Sequence, residues 1–173
     1  MTALLVVGDL TVEPLADADL DAFVAYRRDP DVARFQGWSP DYSVADGRAL
    51  LDAQRGWSLP PAGEWMQFAL RSAEGQLLGD VAVHRLDEPG VFELGVTIAP
   101  RNQGRGLATR ALGAVTAHLL SEHGARRVYA ECDARNTGMR TVLSRLGFRL
   151  EHTAEEWFKD ETVTVETWSS VVE

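Results

Sequence analysis

Apolar residues fill or alternate along three consecutive segments in the middle of the chain, a pattern typical of β-strands. Residues 73–76 and 87–90 separate these segments and have the composition and length of hairpin turns. The pattern therefore predicts an antiparallel meander. Its three strands are expected at 64–71, 77–85 and 91–98.

Helical spacing of apolar residues marks four further segments. The acidic stretch 17–21 suits the positive end of the first helix, and Ser43 and Asp46 form a capping box at the second. The first helix is expected to end near residue 29, and the second to run from 43 toward 57. The third and fourth helices are expected at 107–122 and 137–146. Shorter strands are expected at 11–14, 127–133, 148–153 and 162–168. Helices interleaved with strands predict one mixed sheet of the α/β (α+β) class.

Length and composition fit one globular unit spanning residues 1–173, because 45% of the residues are hydrophobic and 25% are charged. A chain of this size buries enough surface to need no disulfide or metal to hold it together. Neither a fibrous nor a low-complexity protein fits these proportions.

The charge balance limits which classes of partner the protein can bind, since 17 basic and 26 acidic residues give a net charge of −9. A protein that binds nucleic acid nonspecifically needs an excess of Lys and Arg, so no nucleic-acid partner is expected. Cys132 is the single cysteine, and no Cys and His cluster has metal-site spacing, which predicts a reducing compartment and no metal. The apolar run at 3–7 is too short for a signal peptide, and no 18-residue apolar span follows. We expect a soluble, cytoplasmic protein without a membrane partner.

The segment 98–109 has the features of an anion site, because a strand ends at Pro100 and a glycine-containing loop leads directly into a helix. Gly104 and Gly106 allow backbone N–H groups to approach phosphate oxygens, and the helix N-terminus adds positive potential. Arg101 and Arg105 add full charges. The alternative is an ordinary strand-to-helix turn. The loop matches neither the P-loop pattern nor the dinucleotide fingerprint.

Arg101-x-x-Gly104-x-Gly106 resembles the R/Q-x-x-G-x-G/A acetyl-CoA signature of the GNAT superfamily of N-acetyltransferases. The other similar blocks are Leu-Ala-Thr at 107–109, Ala-Arg-Asn at 134–136, Leu-Gly-Phe-Arg at 146–149 and, as in the RimJ/RimL-like branch, Phe-Glu-Leu-Gly at 92–95. The resemblance covers residues 64–153 well and the first sixty only by the order of elements.

This resemblance implies a mostly antiparallel central sheet flanked by helices and splayed at strands four and five, here 91–98 and 127–133. It implies acetyl-CoA as co-substrate, with backbone groups along the pantetheine arm, loop amides on the pyrophosphate and a hydroxyl at the helix start. The residues that it assigns to acetyl-CoA are Val96, Ile98, Arg101, Gln103, Gly104, Arg105, Gly106, Leu107, Ala108, Thr109 and Asn136.

Strand alternation puts Phe92 and Leu94 on an apolar face and the Glu93 carboxylate on the other face. In an acetyl transfer by direct attack, a base must take a proton from the amine. The resemblance implies that Glu93 is this base. The alternative is a solvated strand carboxylate.

Several positions depart from the family pattern or leave two interpretations open. Met139 and Leu143 stand where relatives carry a serine or tyrosine acid, so no general acid is assigned. Arg110 stands in place of a glutamate and is expected to add positive charge near the phosphates. Cys132 is expected to be a buried structural residue rather than a nucleophile. The aromatics of the loop that borders the acceptor pocket by resemblance are candidate substrate contacts, or alternatively a hydrophobic clamp: Phe35, Trp38 and Tyr42.

The sequence therefore predicts an acetyl-CoA-dependent N-acetyltransferase that uses direct transfer in a ternary complex. The acceptor is a primary amine: a small cationic amine, an aminoglycoside-like compound or a protein N-terminus, with which the acidic balance is compatible. The alternatives are an acyl-CoA-binding sensor or partner module, and a transferase for another acyl-CoA such as succinyl-CoA. A homodimer is possible, since the strand at 162–168 would pair across a two-fold axis or lie at a covered edge.

Overall fold

A computed structural model describes residues 4–170, so the two ends of the expected domain, 1–3 and 171–173, lie outside the described part. The chain forms one eight-stranded mixed sheet in the order β1-β2-β3-β4-β5-β6-β8-β7. The strands are β1 (Leu5–Val7), β2 (Leu10–Pro14), β3 (Trp65–Arg71), β4 (Leu77–Arg85), β5 (Val91–Ile98), β6 (Arg127–Asp133), β7 (Arg149–Phe158) and β8 (Glu161–Ser169). The helices are α1 (Leu20–Arg27), α2 (Pro30–Ala33), α3 (Val44–Ala53), α4 (Leu107–Glu122) and α5 (Thr137–Arg145).

The meander of β3, β4 and β5 and the helix α4 are confirmed at the predicted positions. Two short elements were missed. The strand β1 has only three residues and forms through its hairpin with β2, where Gly8 takes a positive φ of 61°. The helix α2 begins at Pro30, and the Asp29 side chain accepts hydrogen bonds from the first amides.

The C-terminal half of the sheet differs from the sequence prediction in extent and order. β7 continues to Phe158, five residues beyond the predicted end at Thr153. The last strand, β8, lies between β6 and β7, so β7 and not the late strand forms the edge. Helix α3 ends at Ala53 instead of continuing to Trp57.

The expected separation of two neighbouring strands is present between β5 and β6, which are the fifth and sixth strands because the β1–β2 hairpin adds one. They run parallel and pair only from Val91 with Arg127 to Glu93 with Tyr129. Beyond this pair they diverge. In the described part of the chain, the backbone groups of their C-terminal halves that face the gap have no ladder partner.

Helices cover both faces of the sheet. On one face, α4 packs the predicted stripe of Leu112, Val115 and Leu119, at most 1% exposed, against the centre of the sheet. On the other face, Phe23 of α1 packs beside Ala69 of β3. The same buried cluster includes Leu77 at the start of β4 and Ala99 just after the end of β5, so this layer covers that end of the strands.

No helix among residues 4–170 combines the length and the apolarity needed to cross a membrane.

Candidate active site

The divergence of β5 and β6 opens a groove of about 640 Å³. Its walls are the C-terminal half of β5, the loop 102–106, the start of α4, the end of β6 and the exposed side of α5. A second cavity of about 240 Å³ lies beside α3 and contains none of the predicted site residues. The groove is therefore the candidate site.

One end of the groove is a glycine cradle formed by residues 103–108. Gly104 and Gly106 both have a φ of 73°, and no atom lies within 4 Å of a Cβ built on either residue. Gly106 is the N-cap of α4 and offers no side-chain oxygen to the first-turn amides, whereas Asn136 caps α5 with its Oδ1, 3.1 Å from the amide nitrogen of Met139. The cradle therefore retains open space and uncapped N–H groups, which fit an anion such as a pyrophosphate.

The cationic side chains near the cradle differ from the sequence prediction. Arg101 and Arg105 are exposed and flank the groove rather than line it, and Arg105 donates to Oδ1 of Asn102 at 3.3 Å. Arg110 forms an exposed ion pair with Asp9 at the β1–β2 turn, so its guanidinium lies beside this hairpin and does not line the groove. The expectation that Arg110 adds charge near the phosphates is thus corrected.

Arg145 at the end of α5 is exposed and lines the groove, although the sequence analysis did not include it. The sequence nevertheless contains a signal for the position of Arg145. Residues 141 and 145 share the face of α5 opposite the fully buried Leu143.

Eight residues predicted for acetyl-CoA line the groove: Val96, Ile98, Gln103, Gly104, Gly106, Leu107, Ala108, Thr109; Asn136 is a ninth. Two of them already have internal partners. The Gln103 side-chain amide donates to the Ile98 carbonyl at 3.0 Å. Because Oδ1 of Asn136 accepts the capping hydrogen bond, its amide Nδ2 is the atom that remains to donate to a ligand.

Glu93 lies at the last paired position before β5 and β6 separate, directly opposite Tyr129. Its side chain is only 17% exposed. The Tyr129 hydroxyl donates to Oε2 at 3.2 Å, and Nδ1 of His84 lies 3.2 Å from the same oxygen. Burial raises the pKa of Glu93, the hydrogen bond with His84 partly offsets this, and the nearby Glu131 carboxylate raises the pKa further. The alternative of a freely solvated carboxylate does not describe this environment.

Glu131 is a second carboxylate that the sequence analysis missed. It lines the groove two residues beyond Tyr129 on the same face of β6, and the Thr167 hydroxyl donates to it at 3.2 Å. Among residues 4–170 it forms no ion pair. The alternation of residues 127, 129 and 131 on β6 carries the signal for its position.

The three predicted acceptor-loop aromatics divide between two environments. Phe35 lines the groove, whereas Trp38 and Tyr42 do not. The ring centroid of Trp38 lies 3.7 Å from the guanidinium carbon of Arg27, and its Nε1 donates to the Arg27 carbonyl at 3.0 Å. Trp38 and Tyr42 thus form a clamp around the buried Arg27, and their contact with substrate stays a prediction.

Met139 and Leu143 occupy the two positions where relatives carry an acid, and their surroundings differ. Met139 lines the groove with a thioether, and Leu143 is fully buried in the core, so neither position offers a proton donor. Cys132 is 7% exposed, and burial raises its thiol pKa to about 12, which disfavours a nucleophilic thiolate.

Within residues 4–170, no three side chains of His, Cys, Asp or Glu converge in a way that would hold a metal ion.

Splayed strands beside an uncapped glycine cradle define an acyl-CoA-dependent acetyltransferase fold, and the comparisons agree. The sequence model described as "Acetyltransferase (GNAT) domain" matches residues 9–149, so the chain belongs to the GNAT family of N-acetyltransferases. The resemblance found in the sequence is confirmed.

Individual relatives are distant in sequence but similar in fold. The N-acetyltransferase p20 of Bacillus licheniformis is 21% identical over 151 residues, which cover 87% of this chain and 84% of that protein. The Vibrio cholerae spermidine N-acetyltransferase in complex with CoA and spermine has a TM-score of 0.82 at 18% identity, covering 94% and 95% of the two chains. The ribosomal L7/L12 α-N-protein acetyltransferase RimL in complex with CoA has a TM-score of 0.82 at 18% identity, covering 99% and 98%.

Proposed function

We propose that the protein transfers the acetyl group of acetyl-CoA to a primary amine, which attacks the thioester directly in a ternary complex. The observation that carries this proposal is the point where β5 and β6 part. A glycine cradle lies at one end of the resulting groove, and a buried carboxylate with a raised pKa lies where the strands begin to diverge.

The donor fits the groove through backbone groups and two kinds of side chain. Residues 103–108 would hold the pyrophosphate with their amides, and the exposed Arg101, Arg105 and Arg145 would add positive potential around the phosphates. The unpaired halves of β5 and β6, with Val96 and Ile98 on β5, would take the pantetheine chain as a missing strand partner. Asn136 would donate its Nδ2 to that chain. Acetyl-CoA supplies the thioester carbonyl that the amine attacks.

Glu93 would act as the general base, directly or through a water. It takes one proton from the ammonium group of the acceptor, so that the neutral nitrogen attacks the thioester carbon. The new C–N bond forms, the C–S bond breaks, and the second proton of the nitrogen passes to the thiolate, directly or through solvent. A raised pKa suits Glu93 to this role because it brings the carboxylate closer in basicity to the amine.

The acceptor is proposed to be cationic, because the surface beside the groove is polar and acidic. Glu93, Tyr129, Glu131 and Thr167 form this acceptor wall on one face of β5, β6 and β8. Glu131 has no cationic partner in the described part of the chain, so an ammonium group would neutralise it. The Vibrio neighbour is named for spermidine and holds spermine, and RimL is named for the α-amino group of a ribosomal protein; these are amines of this charge type. An aminoglycoside-like amine is a third class.

Two finer parts of the proposal rest on the sequence. The single buried Cys132 supports a reducing, cytoplasmic location. We also propose that the protein forms a homodimer.

The test is acceptor-dependent release of the CoA thiol from acetyl-CoA across polyamines, aminoglycosides, amino acids and N-terminal peptides. We expect release above the no-acceptor rate with one cationic class, and neutral hydroxyl analogues of that acceptor should be inert. Parallel reactions with succinyl-CoA identify the donor. If no acceptor promotes release while acetyl-CoA still raises the melting temperature, the acyl-CoA-binding module is favoured instead.

A further inference from the structure

Four side chains form a row across one face of the sheet, near the point where β5 and β6 part. Trp65 of β3 lies opposite His84 of β4, and His84 lies opposite Glu93 of β5. Glu93 in turn lies opposite Tyr129 of β6. Directly opposed residues of neighbouring strands project from the same face, so the four side chains are consecutive neighbours. The proposed reaction gives a chemical step to Glu93 and leaves Trp65 and His84 without a role.

The two carboxylate oxygens of Glu93 have different surroundings. The Tyr129 hydroxyl donates to Oε2 at 3.2 Å, and Nδ1 of His84 lies 3.2 Å from the same oxygen. An ionised carboxylate can only accept hydrogen bonds, so Nδ1 is the ring nitrogen that carries the proton. Within residues 4–170, no group donates a hydrogen bond to Oε1. Oε2 is therefore held by two donors, and Oε1 remains for the acceptor.

The imidazole ring of His84 is itself held in place. The Trp65 indole stacks on it, with ring centroids 4.7 Å apart and 17° between the planes. In the described part of the chain, two buried side-chain polar atoms lack a hydrogen-bond partner, and Nε2 of His84 is not one of them. Since no described residue bonds Nε2, this nitrogen reaches water. The stack accounts for a tryptophan that is 36% exposed on the sheet.

We propose that His84 and Trp65 are positioning residues for Glu93. His84 binds Oε2 together with Tyr129, and Trp65 keeps the imidazole in the orientation that this bond needs. Oε1 is thereby the oxygen that takes the acceptor proton. Neither His84 nor Trp65 lines the groove, so both act through Glu93. This inference rests on the proposed function, because it assigns an orientation to the base of that reaction.

His84 also helps to keep the base ionised. Burial raises the pKa of Glu93 and the hydrogen bond with His84 lowers it, while the Glu131 carboxylate raises it again and the Tyr129 hydroxyl lowers it. Arg127 lies beyond Tyr129, with its guanidinium carbon 4.4 Å from the ring centroid. Loss of the His84 hydrogen bond would raise the pKa of Glu93 further. The carboxyl group would then stay protonated, and inactive as a base, up to a higher pH.

Two substitutions at position 84 separate the hydrogen bond from the ring. His84→Ala removes the donor, whereas His84→Asn places an amide N–H near the position of Nδ1. In His84→Ala we expect kcat to fall about tenfold or more and the acid limb of the pH–rate profile to move to higher pH. The KM for acetyl-CoA should stay nearly unchanged, because His84 does not line the groove. His84→Asn should recover most of kcat and return the limb toward its wild-type position.

Substitutions of Trp65 test the stack. Trp65→Ala should change kcat and the acid limb in the same direction by a smaller amount. Trp65→Phe keeps an aromatic face over the imidazole and should behave as the wild type. His123→Asn is the control and should change neither quantity, because His123 is the exposed C-cap of α4, at the far end of this helix from the glycine cradle. Circular dichroism and melting curves verify that every variant folds.

Failure of the positioning role is distinguishable from failure of the proposed function. A wild-type chain that releases no CoA with any acceptor overturns the proposed function. An active wild-type chain whose His84→Ala variant keeps both its kcat and its acid limb overturns the positioning role alone. Carbon-13 NMR titration of the Glu93 carboxyl group measures the same contact without substrate. Its midpoint should lie at higher pH in His84→Ala than in the wild type, and an unchanged midpoint overturns the inference.

Discussion

Glu93 shows how much chemistry depends on a single residue's surroundings. An exposed strand glutamate would be a weak base, but here burial and a second carboxylate raise its pKa while His84 and Tyr129 hold one of its oxygens. The base must be ionised to accept a proton. Activity is therefore expected to fall as the pH drops through the raised pKa, at higher pH than for an ordinary glutamate.

The Glu93→Gln variant tests the base. Glutamine keeps the size of the side chain and removes its basicity, so kcat should fall roughly 100-fold. The KM for acetyl-CoA should stay nearly unchanged, because Glu93 does not line the groove. Steady-state kinetics with both substrates measures this difference. Unchanged turnover would remove Glu93 from the mechanism.

The Glu131→Gln variant separates acceptor recognition from base strength. We expect the acceptor KM to rise several-fold because the ammonium loses a counter-charge. Removal of that charge also lowers the pKa of Glu93, so the acid limb of the pH–rate profile should move to lower pH. Glu74→Gln, an exposed change in the β3–β4 turn, is the control. If neither KM nor the limb moves in an active enzyme, Glu131 has no role in the acceptor wall.

Among the elements, α4 joins the core to the glycine cradle. Its apolar stripe fixes the helix on the sheet, while its first turn lacks a side-chain cap and lines the groove. A serine or aspartate at position 106 would satisfy those amides and favour an isolated helix. Glycine instead leaves them to a ligand, at the expense of helix-start stability.

The Gly106→Ala variant tests the cradle against a matched position. Gly106 and Gly75 both have positive φ, 73° and 80°, and an open space where a Cβ would lie. Alanine at either position should cost about 1–2 kcal/mol of stability from the left-handed backbone. Only Gly106→Ala should also raise the KM for acetyl-CoA, since Gly75 lies in the β3–β4 turn. Melting curves and donor titrations measure both effects. An equal KM change in both variants would contradict the cradle.

At the scale of the whole molecule, the gap between β5 and β6 interrupts the hydrogen-bond ladder inside the described sheet. Acetyl-CoA should therefore slow amide hydrogen exchange at residues 95–98 and 103–108, while the fully paired β3 changes little. At 100 times its Kd, the ligand should add about 2.7 kcal/mol to the free energy of unfolding. Exchange mass spectrometry with and without acetyl-CoA measures the pattern. Uniform protection of the whole chain would contradict a local site.

The sequence by itself determined the meander, the position of α4, the glycine cradle and Glu93 as candidate base. Each depends on local information: a period of two or 3.6 residues, turn residues at fixed spacing, or a motif in consecutive positions. For the same reason the sequence showed that residues 139 and 143 carry no acid.

Only the tertiary structure decided which of these residues meet. The Glu131 carboxylate reaches the acceptor wall, Arg110 binds the β1–β2 hairpin, and Trp38 packs on Arg27 through contacts between distant segments. The order β6-β8-β7 likewise depends on tertiary structure, because the chain turns back after β7 and inserts β8 beside β6, which leaves β7 at the edge. Burial sets the pKa of Glu93, and burial is a property of the assembled sheet and helices that no local pattern records.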